Sequence, residues 1–178
     1  FETETSRTNN AWLFGGNVNL PSDVNFTWAK EVEEDFHARF NAYARSYEYK
    51  IHNNPIRSSL KTNYYLWEPR KLNIIEMKKA ISFLVGEHDF SCFRGRLCQA
   101  KTPIKTIEYI DIIESNDELI LKIKANAFLH HMVRNIVGTI LKIGRGEKDA
   151  EWILSVLESK DRKKAGPTAE PHGLYFIK

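Results

Sequence analysis

Apolar residues recur at Leu129, Met132, Val133, Ile136, Val137, Ile140 and Leu141, the i, i+3, i+4, i+7 spacing of a helix that buries one face. The pattern predicts a helix that follows directly on a strand, carries Ala125 to Gly138, and stops near Gly144-Arg145-Gly146. His130, Arg134 and Gly138 form a second row at i, i+4, i+8 along the edge of that face, bringing a cation to the border between core and surface. An arginine placed so can also snorkel, its stem packed and its head in water. Elsewhere, alternation predicts a short strand at Val24, Phe26 and Trp28. It also predicts a long one from Ala42 to His52 with Tyr43, Arg45, Tyr47, Tyr49 and Ile51 on one face. Thr106 to Ile113 and Leu119 to Ala125 read as a hairpin turning at Ser115-Asn116-Asp117-Glu118, and Gly173 to Ile177 as a final strand.

Helix signals are placed between these strands. Thr8 or Asn9 caps a short helix over residues 11–14 that Gly15-Gly16 ends, and Asn73 with Glu76 reads as a capping box for Ile74 to Val85. A further short helix starts at Asp149, with Trp152, Ile153, Val156 and Leu157 facing inward. Residues 57–70 and 88–96 read as loops, and Lys160 to Lys164 as a solvated basic helix end. This order of elements is that of an α+β fold with a mainly antiparallel sheet and flanking helices.

Composition changes this picture little. With 26 Lys plus Arg against 23 Asp plus Glu in 178 residues, the net charge of +3 does not announce a nucleic-acid partner. Basic residues nevertheless crowd Arg39 to Arg70, Arg94 to Lys105 and Arg134 to Arg145, as a basic face would require. Tyr and Arg alternating on the long strand fit two arrangements, a packed aromatic core with Arg45 at its rim or a platform for unstacked bases. No apolar run reaches membrane-spanning length, and Cys92 and Cys98 lack a zinc-ligand pattern, so free thiols in a reducing cytosol are expected. No P-loop, dinucleotide fingerprint or nucleophile elbow is present.

Four segments carry a resemblance. Phe36-His37-Ala38-Arg39-Phe40 with Ala44-Arg45-Ser46-Tyr47-Glu48-Tyr49, Gly86-Glu87-His88-Asp89-Phe90-Ser91 with Phe93-Arg94, Ala125 to Gly138, and Pro167-Thr168-Ala169 with Gly173-Leu174-Tyr175 occur in that order over nearly the whole chain. Together they resemble the bacterial tRNA pseudouridine synthase A family. The resemblance implies the C-terminal part of the pseudouridine-synthase fold, and a homodimer that isomerises uridine to pseudouridine in the anticodon stem-loop of tRNA without cofactor or catalytic metal. It implies that residues 1–35 are the remainder of an N-terminal catalytic half and that 36–178 are the C-terminal domain. By the same resemblance Arg134 pairs with a nucleophilic Asp, Tyr47 packs against the flipped base and Leu174 lines the pocket. Arg39, His37, Arg45, His130 and Arg94 are expected at the cleft or the tRNA backbone.

One departure stands out. The family's Asp lies in a Gly-Arg-Thr-Asp-x-Gly-Val-His segment shortly before a stretch ending His-Phe-Glu-Thr, and this chain opens at Phe1-Glu2-Thr3. The expectation is a C-terminal portion of a longer protein, without the nucleophile. Ser6-Arg7-Thr8-Asn9 mimics Arg-Thr-Asp only by coincidence, and Asp23, Asp35, Asp89, Asp111, Asp117, Asp149 and Asp161 read as loop or cap residues. The rival readings are a non-catalytic RNA-binding or dimerisation module on the same scaffold, and a small-molecule enzyme with a basic cleft.

Overall fold

The computed structural model describes residues 2–38 and 40–178, which fall into two compact units, Phe1–Asn41 and Ala42–Lys178. In the first unit, helix α1 (Asn9–Asn19) is capped by Thr8, whose hydroxyl accepts from the Ala11 amide at 3.2 Å. It runs through Gly15-Gly16 instead of stopping there. The reason is Phe26: a Cβ on Gly16 would lie 2.8 Å from its ring, so the glycine seats the aromatic on the helix. The Asn17 side chain then takes both backbone groups of Phe26, donating to its carbonyl at 2.9 Å and accepting from its amide at 2.7 Å. With those groups used, the alternation at 24–28 forms no strand.

The second unit is built on a six-stranded sheet: β1 (Arg45–Asn53), β2 (Leu66–Glu68), β3 (Gly86–Asp89), β4 (Ile104–Ser115), β5 (Glu118–Ala125) and β6 (Leu174–Phe176). Its order is β2-β1-β5-β4-β3, and β6 pairs with β1 over Tyr47–Tyr49, beside the stretch that β2 occupies. Only β1 and β2 run parallel; the other pairings are antiparallel. The β4–β5 hairpin turns at Asn116, which takes a positive φ of 50°. A register shift between Ile107 and Tyr109 lets Ile107, Ile110 and Ile112 all face the core. Strands β2 and β3 fall where the sequence reads as loop. Both are short segments without apolar alternation, ordered by the strand beside them.

Helices α2 (Ile74–Ser82), α3 (Met132–Gly144) and α4 (Trp152–Ser159) complete the unit. One sheet face supplies Tyr49, Ile51, Leu121, Ile123 and Ile112 to the core; the helices supply Met77, Ile81, Met132, Ile136, Ile140, Ile153 and Val156. The α2 capping box is half formed. Asn73 accepts from the Glu76 amide at 3.2 Å, but its own amide goes to the Gly144 carbonyl, and the Glu76 carboxylate accepts from the Ala150 amide.

Helix α3 starts later than its pattern suggests. Residues 126–131 stay outside because their polar groups are used elsewhere: the Asn126 amide and side chain bond Thr106, and the His130 carbonyl accepts from the Gly95 amide at 2.8 Å. His131 takes the left-handed conformation at φ 61° and turns the chain into the helix. His130 is therefore not in the helical row with Arg134 and Gly138, and its ring stacks on that of His131 at 3.8 Å.

Candidate active site

The loop from Ala165 to Glu170 is sewn onto the first two turns of α3. Gly138 lets it approach: a Cβ there would fall 1.7 Å from the Pro167 carbonyl oxygen. The Ala169 amide donates to the Arg134 carbonyl at 3.1 Å, and the Arg134 Nε donates to the Ala169 carbonyl at 2.7 Å. This reciprocal pair holds the half-buried Arg134 side chain against the loop, where a snorkelling arginine would extend into water. Neither terminal nitrogen of Arg134 has a partner among the described residues, and no carboxylate pairs with it. Nε being committed, the edge shared by Nη1 and Nη2 is what remains for two-toothed contact with an anion.

Beside Arg134 lies the fully buried Tyr49, whose hydroxyl donates to the Glu170 carbonyl at 2.6 Å. Burial pushes its pKa well above the usual phenol value, while the charge of Arg134 pulls the other way, so it stays a neutral donor. Leu174 of β6 pairs directly with Tyr49, and Phe176 with Tyr47, so all four side chains share one face of the sheet. Tyr47 meets Phe128 edge-on at 5.1 Å and Phe176 at 5.4 Å. The result is a fixed guanidinium beside a wall of aromatic and aliphatic side chains. Such a site suits a flat, partly apolar ligand that carries or meets negative charge.

A family model described as tRNA pseudouridine synthase matches residues 80–178. The tRNA pseudouridine synthase A of Pseudomonas aeruginosa is 47% identical over the whole chain, which covers 62% of that relative. The proteins of the same name from Hydrogenovibrio crunogenus (47% identical over 99% of the chain, 68% of the relative) and Nitrosococcus oceani (46% over 100% and 69%) are similar to it to the same degree. The chain belongs to the tRNA pseudouridine synthase family. It spans between 62% and 69% of the length of these relatives.

Of the residues singled out through the synthase family motifs, the structure brings Arg134, Tyr47 and Leu174 to one side of the sheet with Tyr49. His130 is exposed and lies next to His131, whose imidazole is held below its usual 6.5 by burial and by the charges of His130 and Arg134. Arg94 donates to the Cys98 and Ala100 carbonyls at 3.0 and 2.8 Å, closing its own loop. That loop docks on His130, whose amide donates to the Cys98 sulfur at 3.3 Å. Arg45 bridges the Ala42 and Asn126 carbonyls. His37 belongs to the first unit, where its Nδ1 accepts from the Phe40 amide, and Arg39 lies outside the described residues.

Of the aspartates read as loop or cap residues, Asp89, Asp149 and Asp161 act as such, but Asp111 lies inside β4, opposite Lys122, because the hairpin ladder runs through it. Asp89 accepts from the Ser91 amide, Asp149 from Trp152 and Asp161 from Lys163. Thr8, the middle of the Arg-Thr-Asn mimic, is the cap of α1. Cys92 is buried, its thiol pushed up to about 12 by burial.

Sequence reasoning missed Asn135 and Arg162. Asn135 is wholly buried in α3; its Nδ2 donates to the Phe93 carbonyl at 2.7 Å and its Oδ1 accepts from Arg162 and Thr168. A polar side chain on the apolar face of the clearest helix was a usable signal, because a buried amide needs partners. Arg162 offered none, being indistinguishable from the lysines beside it.

Proposed function

We propose that the full-length protein converts uridine to pseudouridine in tRNA, acting in the cytosol as a homodimer on the anticodon stem-loop. The observation that carries this reading is the Arg134 fork, fixed through Nε and lying by Tyr49, which shares its sheet face with Tyr47 and Leu174. The target nucleotide is flipped out of its stack, at a cost of a few kcal/mol, and the uracil packs along that wall. A carboxylate supplied from outside these residues docks on the fork, which keeps it ionised and aimed at the nucleotide. The N1–C1′ bond breaks, the uracil turns, and C5 bonds to C1′. The hydrogen on C5 then leaves as a proton and N1, freed from the ribose, takes up a proton, so the base is isomerised with no net oxidation.

Tritium release from tRNA labelled at uridine C5 tests the reaction. Full-length protein releases it, and Arg134→Ala loses turnover while tRNA binding is largely retained, because one arginine is a small share of the phosphate contacts. Normal turnover in Arg134→Ala would remove the assigned role. Binding without any turnover in the wild type would support the non-catalytic RNA-binding reading instead.

A further inference from the structure

Between α4 and β6 lies the basic run Arg162-Lys163-Lys164, which the proposed reaction does not use. Lys163 and Lys164 are exposed, but Arg162 turns inward and takes three partners. Its Nη1 donates to the Gly166 carbonyl at 2.8 Å, and its Nη2 to the Asn135 Oδ1 and the Thr168 hydroxyl, each at 3.0 Å. The Thr168 hydroxyl in turn donates to Asn135 Oδ1 at 2.6 Å. Thr139 closes the cluster, accepting from the Gly166 amide at 2.9 Å. The group therefore fixes Gly166 and Thr168, the residues that flank Pro167 and immediately precede Ala169. The Ala169 carbonyl is what holds the Arg134 Nε.

We propose that Arg162, through Asn135 and Thr168, is a positioning residue that sets the direction of the Arg134 fork by fixing the loop carrying the Ala169 carbonyl. The inference rests on the tRNA pseudouridine synthase reading above. Among the described residues Arg162 hydrogen-bonds to Gly166, Asn135 and Thr168 and not to Arg134; it acts through two links, Thr168 and then Ala169. A guanidinium suits the task because its planar donors reach a carbonyl, an amide oxygen and a hydroxyl at once, which an ammonium on a flexible stem does not do. Arg162 itself, though not Thr168, is buried enough that burial lowers its pKa from its usual value. Loss of Arg162 or Thr168 takes a partner from the other and from Asn135 and loosens the loop.

The test uses the full-length protein, C5-tritiated tRNA and thermal melting of each variant. Arg162→Gln and Thr168→Val lower kcat about 10- to 100-fold, the scale of a misplaced catalytic group, with KM for tRNA little changed. Thr168→Ser, which keeps the hydroxyl and drops a methyl, restores most of the turnover lost in Thr168→Val. Unchanged kcat in folded Arg162→Gln would overturn the proposal. So would a rise in KM alone, or Thr168→Ser as impaired as Thr168→Val. If Arg162→Gln does not fold, the Thr168 pair still decides. A wild-type protein that releases no tritium would defeat the tRNA-modification reading itself, and the positioning role with it, before any variant is compared.

Discussion

Gly138 has no side chain at the point where the Pro167 carbonyl crosses helix α3, and that single absence lets the loop and helix backbones touch. Two effects oppose each other when it is replaced. In an ordinary helix interior Gly→Ala gains about 1 kcal/mol from backbone entropy. Here the added carbon would sit 1.7 Å from a carbonyl oxygen, with the Ala169 amide nitrogen 3.3 Å away, and neither is the end of a flexible side chain. Overpacking against fixed atoms costs about 1–3 kcal/mol and forces the loop outward. The expected net result for Gly138→Ala is lower stability in urea titration together with lost turnover, since Ala169 moves with the loop. A variant as stable as the wild type would show that the loop yields freely. Arg134 illustrates the limit of sequence reading at this scale. Its place on the edge of the buried face was legible from helical spacing, but its bond to a residue 35 positions away was not.

At the scale of elements, the hairpin, α2, α4 and the final strand were legible because their local signals and tertiary partners agree. Their bounds differ from the sequence expectation by a few residues. The failures have separate causes. Strands β2 and β3 are short and carry no alternating pattern; pairing with β1 and β4 makes them strands. The stretch at 24–28 has the alternation but finds no strand partner, and α1 runs on through Gly16, whose missing side chain leaves the space that Phe26 fills. Helix α3 loses its first turn to contacts with Thr106 and Gly95. Capping gives a prediction at this level. With the Asn73 amide taken by Gly144 and Glu76 by Ala150, the Asn73 side chain is what satisfies the Glu76 amide at the start of α2. Asn73→Ala should cost about 1 kcal/mol by chemical denaturation, the usual worth of such a cap. A change below a few tenths of that would mean water replaces the side chain without loss.

Across the whole molecule, the buried core runs from Tyr49 to Ala169 and lies entirely within the second unit, whereas α1 in the first buries no residue. The core joins three helices and the central strands in one contiguous cluster, so exposing its centre requires unfolding the unit as a whole. The loop closed by Arg94 is different: Leu97 in it is 80% exposed, and it is docked largely through the His130 backbone. The two cysteines report on these two events. Burial pushes the Cys98 thiol up, but the His130 and Ala100 amides and Arg94 outweigh it and hold the thiol below its usual 9.0. Cys92 is inert while the core is closed. Alkylation of Cys98 in native protein should therefore be fast and weakly dependent on denaturant, with Cys92 labelled only at the rate of global unfolding. Equal rates would mean that the loop and the core open together. Bound tRNA that seals the loop would slow the first thiol and leave the second untouched, so the chain carries its own footprinting pair without an added dye.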